Sequence, residues 1–257
     1  QPIVMKGEEF TAFLGESIYH IFAFSYHAEN GTWVQIPMQI DDKDDSTHIW
    51  VPGELRNRIL NERDEIIFMA KDMGDQVPVP WEWIDNPESR LNERYEIVAS
   101  DPNNPGVQKY VYFYLSSTLI DTATGYMAYT PAPPGNGADV IYGLSYVEGH
   151  NDGGVSDRWE ITEAIGGNGA DLLDRQKARG TGIALGFWYL DLTENDFIFV
   201  RIDTVTGKVR IGRRLWLSIY GLYSFDLPMY YYPYSVDNKG ASGTIDPSFA
   251  VISHIRQ

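Results

Sequence analysis

The 257-residue sequence predicts an all-β protein, an antiparallel β-sandwich of jelly-roll-like or immunoglobulin-like type with little helix. Three observations predict it. Apolar and polar residues alternate with period two through most of the chain, the pattern of half-buried strands. Aromatic residues make up 14 % of the sequence and suit pleated surfaces. Turn residues recur at roughly 8–15-residue intervals, the spacing of sandwiches and barrels.

Residues 17–27 alternate, with Ile18, His20, Phe22, Phe24 and Tyr26 on one face and Tyr19, Ile21, Ala23 and Ser25 on the other. Asn30-Gly31 follows, a strong hairpin signal. The return strand, 33–41, places Val34, Ile36, Met38 and Ile40 together; Pro37 cannot donate to a ladder and marks an edge or a bulge. Residues 64–71 are apolar on both faces and predict a buried strand. Residues 93–100 alternate weakly. Residues 108–116 alternate cleanly, Tyr110, Tyr112 and Tyr114 against Val111, Phe113 and Leu115. Further strands are expected at 140–147, 157–165, 182–190 and 197–203. After a turn at 204–207 comes a long strand or bent pair at 208–225, broken near Gly212 or Gly221, then strands at 229–236 and 249–255. Helix is expected over 170–179, with Asp171 near its start and Gly180 past its end, and more weakly over 53–63. Long loops are expected at about 41–63, 74–92 and 130–138. The last is rich in Pro and Gly, but the strands flanking it share one composition, so a single domain over 1–257 is expected. Asp121-Thr-Ala-Thr-Gly125 and Asp203-Thr-Val-Thr-Gly207 share turn chemistry without a longer repeat, so nothing supports a solenoid or propeller.

Thirty-six acidic against twenty basic residues give a net charge of −16, which argues against nucleic acid and anionic membrane surfaces as partners. The absence of cysteine excludes disulfides, thiolate metal sites, c-type haem and a cysteine nucleophile. The longest apolar run, 183–192, spans about ten residues and contains Asp191, short of the ~18 a membrane span needs. The chain opens on Gln1 without a basic, apolar leader, the form expected of a mature exported chain. Acidity with abundant Tyr and Trp points the same way, to an extracellular or cell-surface location.

Acidic residues gather at Asp41, Asp42, Asp44 and Asp45 and again at Asp64, Glu65, Asp72 and Asp75. Hard cations take six to eight oxygens from such loops, so Asp41, Asp42, Asp44, Asp45, Asp72 and Asp75 are candidate Ca²⁺ ligands, although the EF-hand spacing is not met. Trp81 and Trp83 share a face of an extended segment. With Tyr230, Tyr231, Tyr232 and Tyr234 they are candidate stacking residues for sugar rings. Asn30-Gly31-Thr32 is a glycosylation sequon on an expected hairpin tip, with Asn30 the acceptor. Met69, Lys71 and Met73 would share a face of a strand and offer cysteine-free haem ligation, against which core packing is the better reading. His20, His27, His48, His150 and His254 are scattered, and each reads as structural before catalytic. Gly-x-Ser-x-Gly, His-Glu-x-x-His and Walker motifs are absent. The Gly-x-Gly pairs at 135/137, 167/169 and 180/182 lack a third glycine and a βαβ context, so no nucleotide cofactor is expected.

Three segments carry a resemblance: Ile36-Pro-Met-Gln-Ile-Asp-Asp42, Asp64-Glu-Ile-Ile-Phe-Met-Ala-Lys-Asp-Met-Gly-Asp75, and Val209-Arg-Ile-Gly-Arg-Arg214 with Tyr231-Tyr-Pro-Tyr234. They resemble segments of uncharacterised secreted prokaryotic β-rich proteins. The resemblance covers about a sixth of the chain and implies an exported β-rich protein; it assigns no residue a role.

The leading expectation is a non-catalytic surface protein that binds glycan or a surface partner and carries a structural Ca²⁺. One alternative is a self-assembling subunit of an extracellular filament or surface layer, in which the apolar residues 1–5 pair with a neighbour's sheet edge. The other is a polysaccharide lyase or hydrolase whose catalytic residues the sequence does not single out: thirty-six acidic residues make carboxylate pairs unspecific.

Overall fold

The computed structural model describes residues 1–43, 57–101, 104–184, 188–219, 223–238, 242–243 and 252–253. It is all-β: every strand pairing is antiparallel, and the helical turns among the described residues are short 3₁₀ segments. Among the described residues no helix is long and apolar enough to cross a membrane. The chain divides into two compact units, Gln1–Tyr126 with Gly207–Val209, and Met127–Thr206 with Arg210–Gln257. The Pro/Gly-rich stretch 130–138 lies inside the second unit.

Unit 1 holds β1 (Pro2–Lys6), β2 (Ile21–His27), β3 (Thr32–Gln35), β4 (Met38–Asp41), β5 (Glu65–Met69), β6 (Tyr95–Asp101) and β7 (Asn104–Leu115). They form a three-stranded sheet, β1-β5-β4, and a four-stranded sheet, β3-β2-β7-β6. Period-two alternation supplies the facing surfaces: Ile66 and Phe68 of β5 and Ile40 of β4 pack on Ile21 and Ala23 of β2 and Val111, Phe113 and Leu115 of β7. Phe10, between two 3₁₀ turns, and Phe13, at the end of the second, fill the same core. The opposite face of β7 is covered too. Tyr110, Tyr112 and Tyr114 pack with Tyr26, Val77 and Ile84, and Val77 N–H donates to the Tyr112 hydroxyl at 2.9 Å. The expected loop 74–92 is thus a lid on a tyrosine-lined sheet face.

Residues 33–41 do not form one strand. Ile36 and Pro37 separate β3 from β4, and the two lie in different sheets. Proline lacks the N–H to continue a ladder, and here the chain uses that break to change sheets. Residues 1–5 lie almost wholly in β1, paired along its length with β5 from Pro2↔Met69 to Lys6↔Glu65. Residues 17–20 begin as a 3₁₀ turn before β2. β5 ends at Met69, and 70–72 is a 3₁₀ turn, so Met69, Lys71 and Met73 do not share a strand face: the two methionines are buried, and Lys71 pairs with Asp72.

Gly74 and Asp75 wedge between β2 and β7. Gly74 exchanges both backbone hydrogen bonds with Tyr110, and Asp75 N–H bonds the Tyr26 carbonyl at 2.8 Å. A Cβ on Gly74 would overlap the Tyr26 carbonyl and amide. Backbone cannot retreat as a flexible side chain can, so Gly74→Ala is expected to destabilise the protein by about 2 kcal/mol or more, read as a lowered urea midpoint with unchanged m-value.

Unit 2 holds β8 (Ala128–Thr130), β9 (Val140–Tyr142), β10 (Tyr146–His150), β11 (Ser156–Ile161), β12 (Ala178–Ala184), β13 (Trp188–Thr193), β14 (Phe197–Val205), β15 (Ile211–Ile219), β16 (Tyr223–Tyr232), β17 (Ser235–Asn238), β18 (Ser242–Gly243) and β19 (Ile252–Ser253). The sheets run β11-β10-β9-β8, β13-β12-β19 and β14-β15-β16-β17, with β18 also on β16. Ile141 and Tyr146 of the first sheet pack on Ile211 and Tyr231 of the last. Residues 182–190, expected as one strand, belong to two paired strands, β12 and β13. The expected helix 170–179 is absent. Asp171 Oδ1 instead accepts from Trp159 N and Leu173 N, anchoring an extended segment beside β11. Side-chain-to-backbone bonds of this kind compete with helix. Of the weaker helix expectation, 57–63 is irregular and 53–56 lies outside the described residues.

Candidate functional site: a polar cleft backed by buried charges

β10 and β15 each carry charge where alternation calls for apolar side chains. Tyr146, Glu148 and His150 share the inner face of β10; Ile211, Arg213, Leu215 and Leu217 share that of β15. Glu148, His150, Arg213 and Asp139, from the segment before β9, meet there almost wholly buried. Arg213 grips Asp139 with both faces of its fork, Nε to Oδ2 at 2.9 Å and Nη2 to Oδ1 at 3.0 Å, and Nη2 also donates to the Gly154 carbonyl at 2.8 Å. His150 Nδ1 lies 2.9 Å from Asp139 Oδ1, and Nε2 lies 3.4 Å from both Glu148 Oε1 and the Tyr231 hydroxyl. The Tyr129 hydroxyl donates to Asp139 Oδ2 at 3.0 Å, and the Ser156 hydroxyl donates to Glu148 Oε1. Glu148 Oε2 is buried with no hydrogen-bond partner.

Two carboxyl groups face two cationic ones, and this decides their titration. Burial pushes Asp139 upward, but the His150 hydrogen bond and the Arg213 charge and hydrogen bond outweigh it and hold the carboxyl far below the usual carboxylate range. Burial and the Arg213 charge push His150 down; its bonds to Asp139 and Glu148 outweigh both and raise its pKa above 6.5. Burial keeps the Tyr231 phenol neutral, and pushes Tyr129 up to about 12.

Between β10 and β11 the chain turns tightly. Asn151 Oδ1 accepts from Gly153 N at 2.9 Å and Val155 N at 3.2 Å, and Gly154 takes a left-handed φ of +75° against Leu215 and Arg213. This turn forms one wall of an open cleft of about 790 Å³. Its lining includes His150, Asn151, Asp152 and Asp157, Asp174 and Arg175 from the segment that runs along β11, Glu194 and Asn195 between β13 and β14, and the apolar Phe197 and Leu217. Arg175 donates to Asn195 Oδ1 at 3.2 Å. Burial raises the Asp157 pKa. The cleft offers carboxylates and amides for hydroxyl groups and a ring for stacking. His150 itself is too deeply buried, and too fully engaged by Asp139 and Glu148, to exchange a proton with a ligand. In unit 1 the Ser25 hydroxyl lies 3.3 Å from His27 Nε2, but Ser25 is only 1 % exposed and out of reach of a substrate.

The residues singled out in the sequence lie elsewhere. Tyr230, Tyr231 and Tyr232 are core side chains, which removes them as a surface platform, while Tyr234 is 45 % exposed. Trp81 is 74 % exposed, on a turn whose carbonyls at Pro80 and Glu82 both accept from Arg94. Trp83 turns inward, stacked edge-on against Tyr114 and covered by Arg94, so the two tryptophans do not make one face. Asp41 and Asp42 are buried; Asp41 accepts from Gln39 at 2.7 Å and Asp42 from Arg58 N at 3.2 Å. Asp72 accepts from the Tyr126 hydroxyl and Lys71, and Asp75 from Lys109 and Ala28 N. Asp44 and Asp45, with His48 and His254, lie outside the described residues. Among the described residues no group of three or more His, Asp or Glu is arranged so that it could hold a metal ion. Burial raises Asp64, beside Asp42, to about 6 despite three hydrogen bonds from Asn61 and Lys43. Asn30 is exposed on the β2–β3 hairpin turn, its Oδ1 accepting from the Thr32 hydroxyl at 2.6 Å.

Sequence reasoning missed the cleft. Its available signal was Glu148, His150 and Arg213 standing in phase with apolar neighbours on two strands. Comparison with protein-family models, curated proteins and solved structures finds no match to this chain.

Proposed function

We propose that this chain is an extracellular or cell-surface binding protein that takes a hydroxyl-rich ligand, a glycan, in the cleft of unit 2, without a catalytic step. The observation that carries the reading is the lining of that cleft: Asp157, Asp174, Glu194 and Asn195 around an apolar floor with Phe197. Sugar sites combine carboxylate and amide acceptors for hydroxyls with a ring for the C–H face. The cations behind the wall are matched by Asp139 and Glu148, while the lining itself carries Asp152, Asp157 and Asp174 against Arg175. Neutral or amino sugars therefore fit, and uronic acids are repelled.

A glycan array followed by calorimetry tests this. Neutral or amino-sugar oligomers are expected to bind and oligouronates to fail. Asp157→Asn with Asp174→Asn is expected to weaken binding by about tenfold or more, the scale of lost charge-assisted hydrogen bonds. Binding that ignores both substitutions, or that favours uronates, overturns the reading; release of reducing or unsaturated ends would make the chain an enzyme. For the structural Ca²⁺, EDTA is expected to lower the melting midpoint; an unchanged midpoint removes the ion from the reading.

A further inference from the structure

The wall of the cleft formed by the 151–155 turn is held by polar bonds rather than by a packed side chain of its own. His150 N donates to the Asp139 carbonyl at 3.1 Å, Gly137 N to the Asp152 carbonyl at 2.8 Å, and Arg213 Nη2 to the Gly154 carbonyl at 2.8 Å. Backbone at Gly137 lies so close to Gly153 and Gly154 that a Cβ there would overlap them. Segment 137–139 and the turn are therefore one unit: two of its ties are main-chain bonds, and the third is made by the guanidinium of Arg213, which also grips Asp139, the partner of the His150 ring. We propose that His150 is a positioning residue for this wall, and that its positive charge makes ligand affinity in the cleft depend on pH. This rests on the cleft being the binding site.

The reasoning is electrostatic. With His150 charged, Asp139 and Glu148 are matched by His150 and Arg213. With His150 neutral, a single guanidinium faces both carboxyl groups in a nearly dry site, and an excess buried charge is costly. The other titratable groups facing His150 cannot replace the lost charge. Tyr231, from β16, and Tyr129, from β8, are neutral phenols, and Asp157, from β11, adds negative charge. Relief comes from water reaching Asp139 and Glu148, and the path outward is through the turn that their partners hold.

The direction follows from linkage. His150 has a raised pKa in the folded protein, so the stabilisation is complete below its ordinary value of about 6.5 and is lost as pH rises through the folded value. Asp139, held low, ceases to contribute only in strong acid. The wall is thus ordered below the folded value and loosens as pH rises through it.

NMR on the unmodified protein tests this without a ligand. The His150 imidazole is expected to be charged at pH 6.5 and to lose its proton at higher pH. The amides of Asp152, Gly153 and Gly154 should shift with the same midpoint, and hydrogen-exchange protection of Gly154 and Val155 should fall about tenfold or more across it, beyond the intrinsic pH dependence. In His150→Gln that coupled transition should vanish. Turn amides indifferent to His150 deprotonation, a transition that persists in His150→Gln, or a neutral His150 at pH 6.5 would each overturn the proposal. Cellotetraose titrations at pH 6 and pH 9 add the functional arm: tighter binding at pH 6 in the wild type and a flat profile in His150→Gln are expected. If neither cellotetraose nor any arrayed glycan binds at either pH, the binding reading fails, while the amide titration still judges His150.

Discussion

Arg213→Ala is expected to destabilise the protein by about 3–5 kcal/mol, the cost of breaking a buried ion pair by removing one partner. Arg213 and Asp139 are both essentially unexposed, and the guanidinium makes two hydrogen bonds to the carboxylate and one to Gly154. Without it, Asp139 loses its main source of positive charge, and the Gly154 carbonyl loses its side-chain donor. Arg213→Lys should fall between, because an ammonium is a point charge that cannot reproduce the fork. The acid limb of unfolding gives a second readout. In the wild type Asp139 titrates far below the usual range, so the stability it contributes is present above that range and disappears only as pH falls through the depressed value. In Arg213→Ala that loss should move to higher pH, toward the ordinary carboxylate pKa of about 3.9. Urea unfolding from pH 2 to pH 7 measures both effects. A variant within about 1 kcal/mol of wild type at pH 7, the range of an exposed pair, would mean that this ion pair is not the internal tie described.

Phe113→Ala is expected to cost about 3–5 kcal/mol, in unit 1. Phe113 is fully buried at the centre of the sandwich, with Phe10 at 4.9 Å and Phe68 at 5.5 Å between ring centroids, both edge-on. Removing the ring deletes contacts to both sheets and to Phe10, which links two 3₁₀ turns. Rigid β-ladders on either side limit collapse into the space, so a cavity term adds to the lost transfer energy. Phe113→Leu should recover more than half of the loss. A shifted urea midpoint with unchanged m-value is the expected form; a cost below about 1.5 kcal/mol would show that the sheets close the gap.

The fold class was legible because alternation is local. Tyr110 to Leu115 announce a strand from six neighbouring residues, and 64–71 announce a buried one. Where the reading went astray, a distant segment had intervened. Residues 33–41 kept their alternation on paper, yet Pro37 lets β3 and β4 join different sheets. Residues 170–179 looked helical until Asp171 found the backbone of Trp159. The tyrosine face of β7 is covered by 74–92, and nothing in the sequence announces that this segment will fold over it. Nor does the sequence announce that Asp72 and Asp75 are engaged by Tyr126 and Lys109, more than thirty residues away along the chain.

The sequence by itself determined that this protein is built of antiparallel strands, that it has no cysteine chemistry, and that it carries a net charge of −16. These follow from period, composition and net charge, which need no knowledge of what lies opposite. Only the tertiary structure decided which charged residues are buried and which face is open. Asp139 and Arg213 are 74 residues apart, and either alone would be an exposed polar group on a strand or in a loop. A buried charge is tolerable only beside its counter-charge, so such a cluster exists only once β10 and β15 face one another. The cleft that it backs is likewise a property of packed sheets, not of any segment within them.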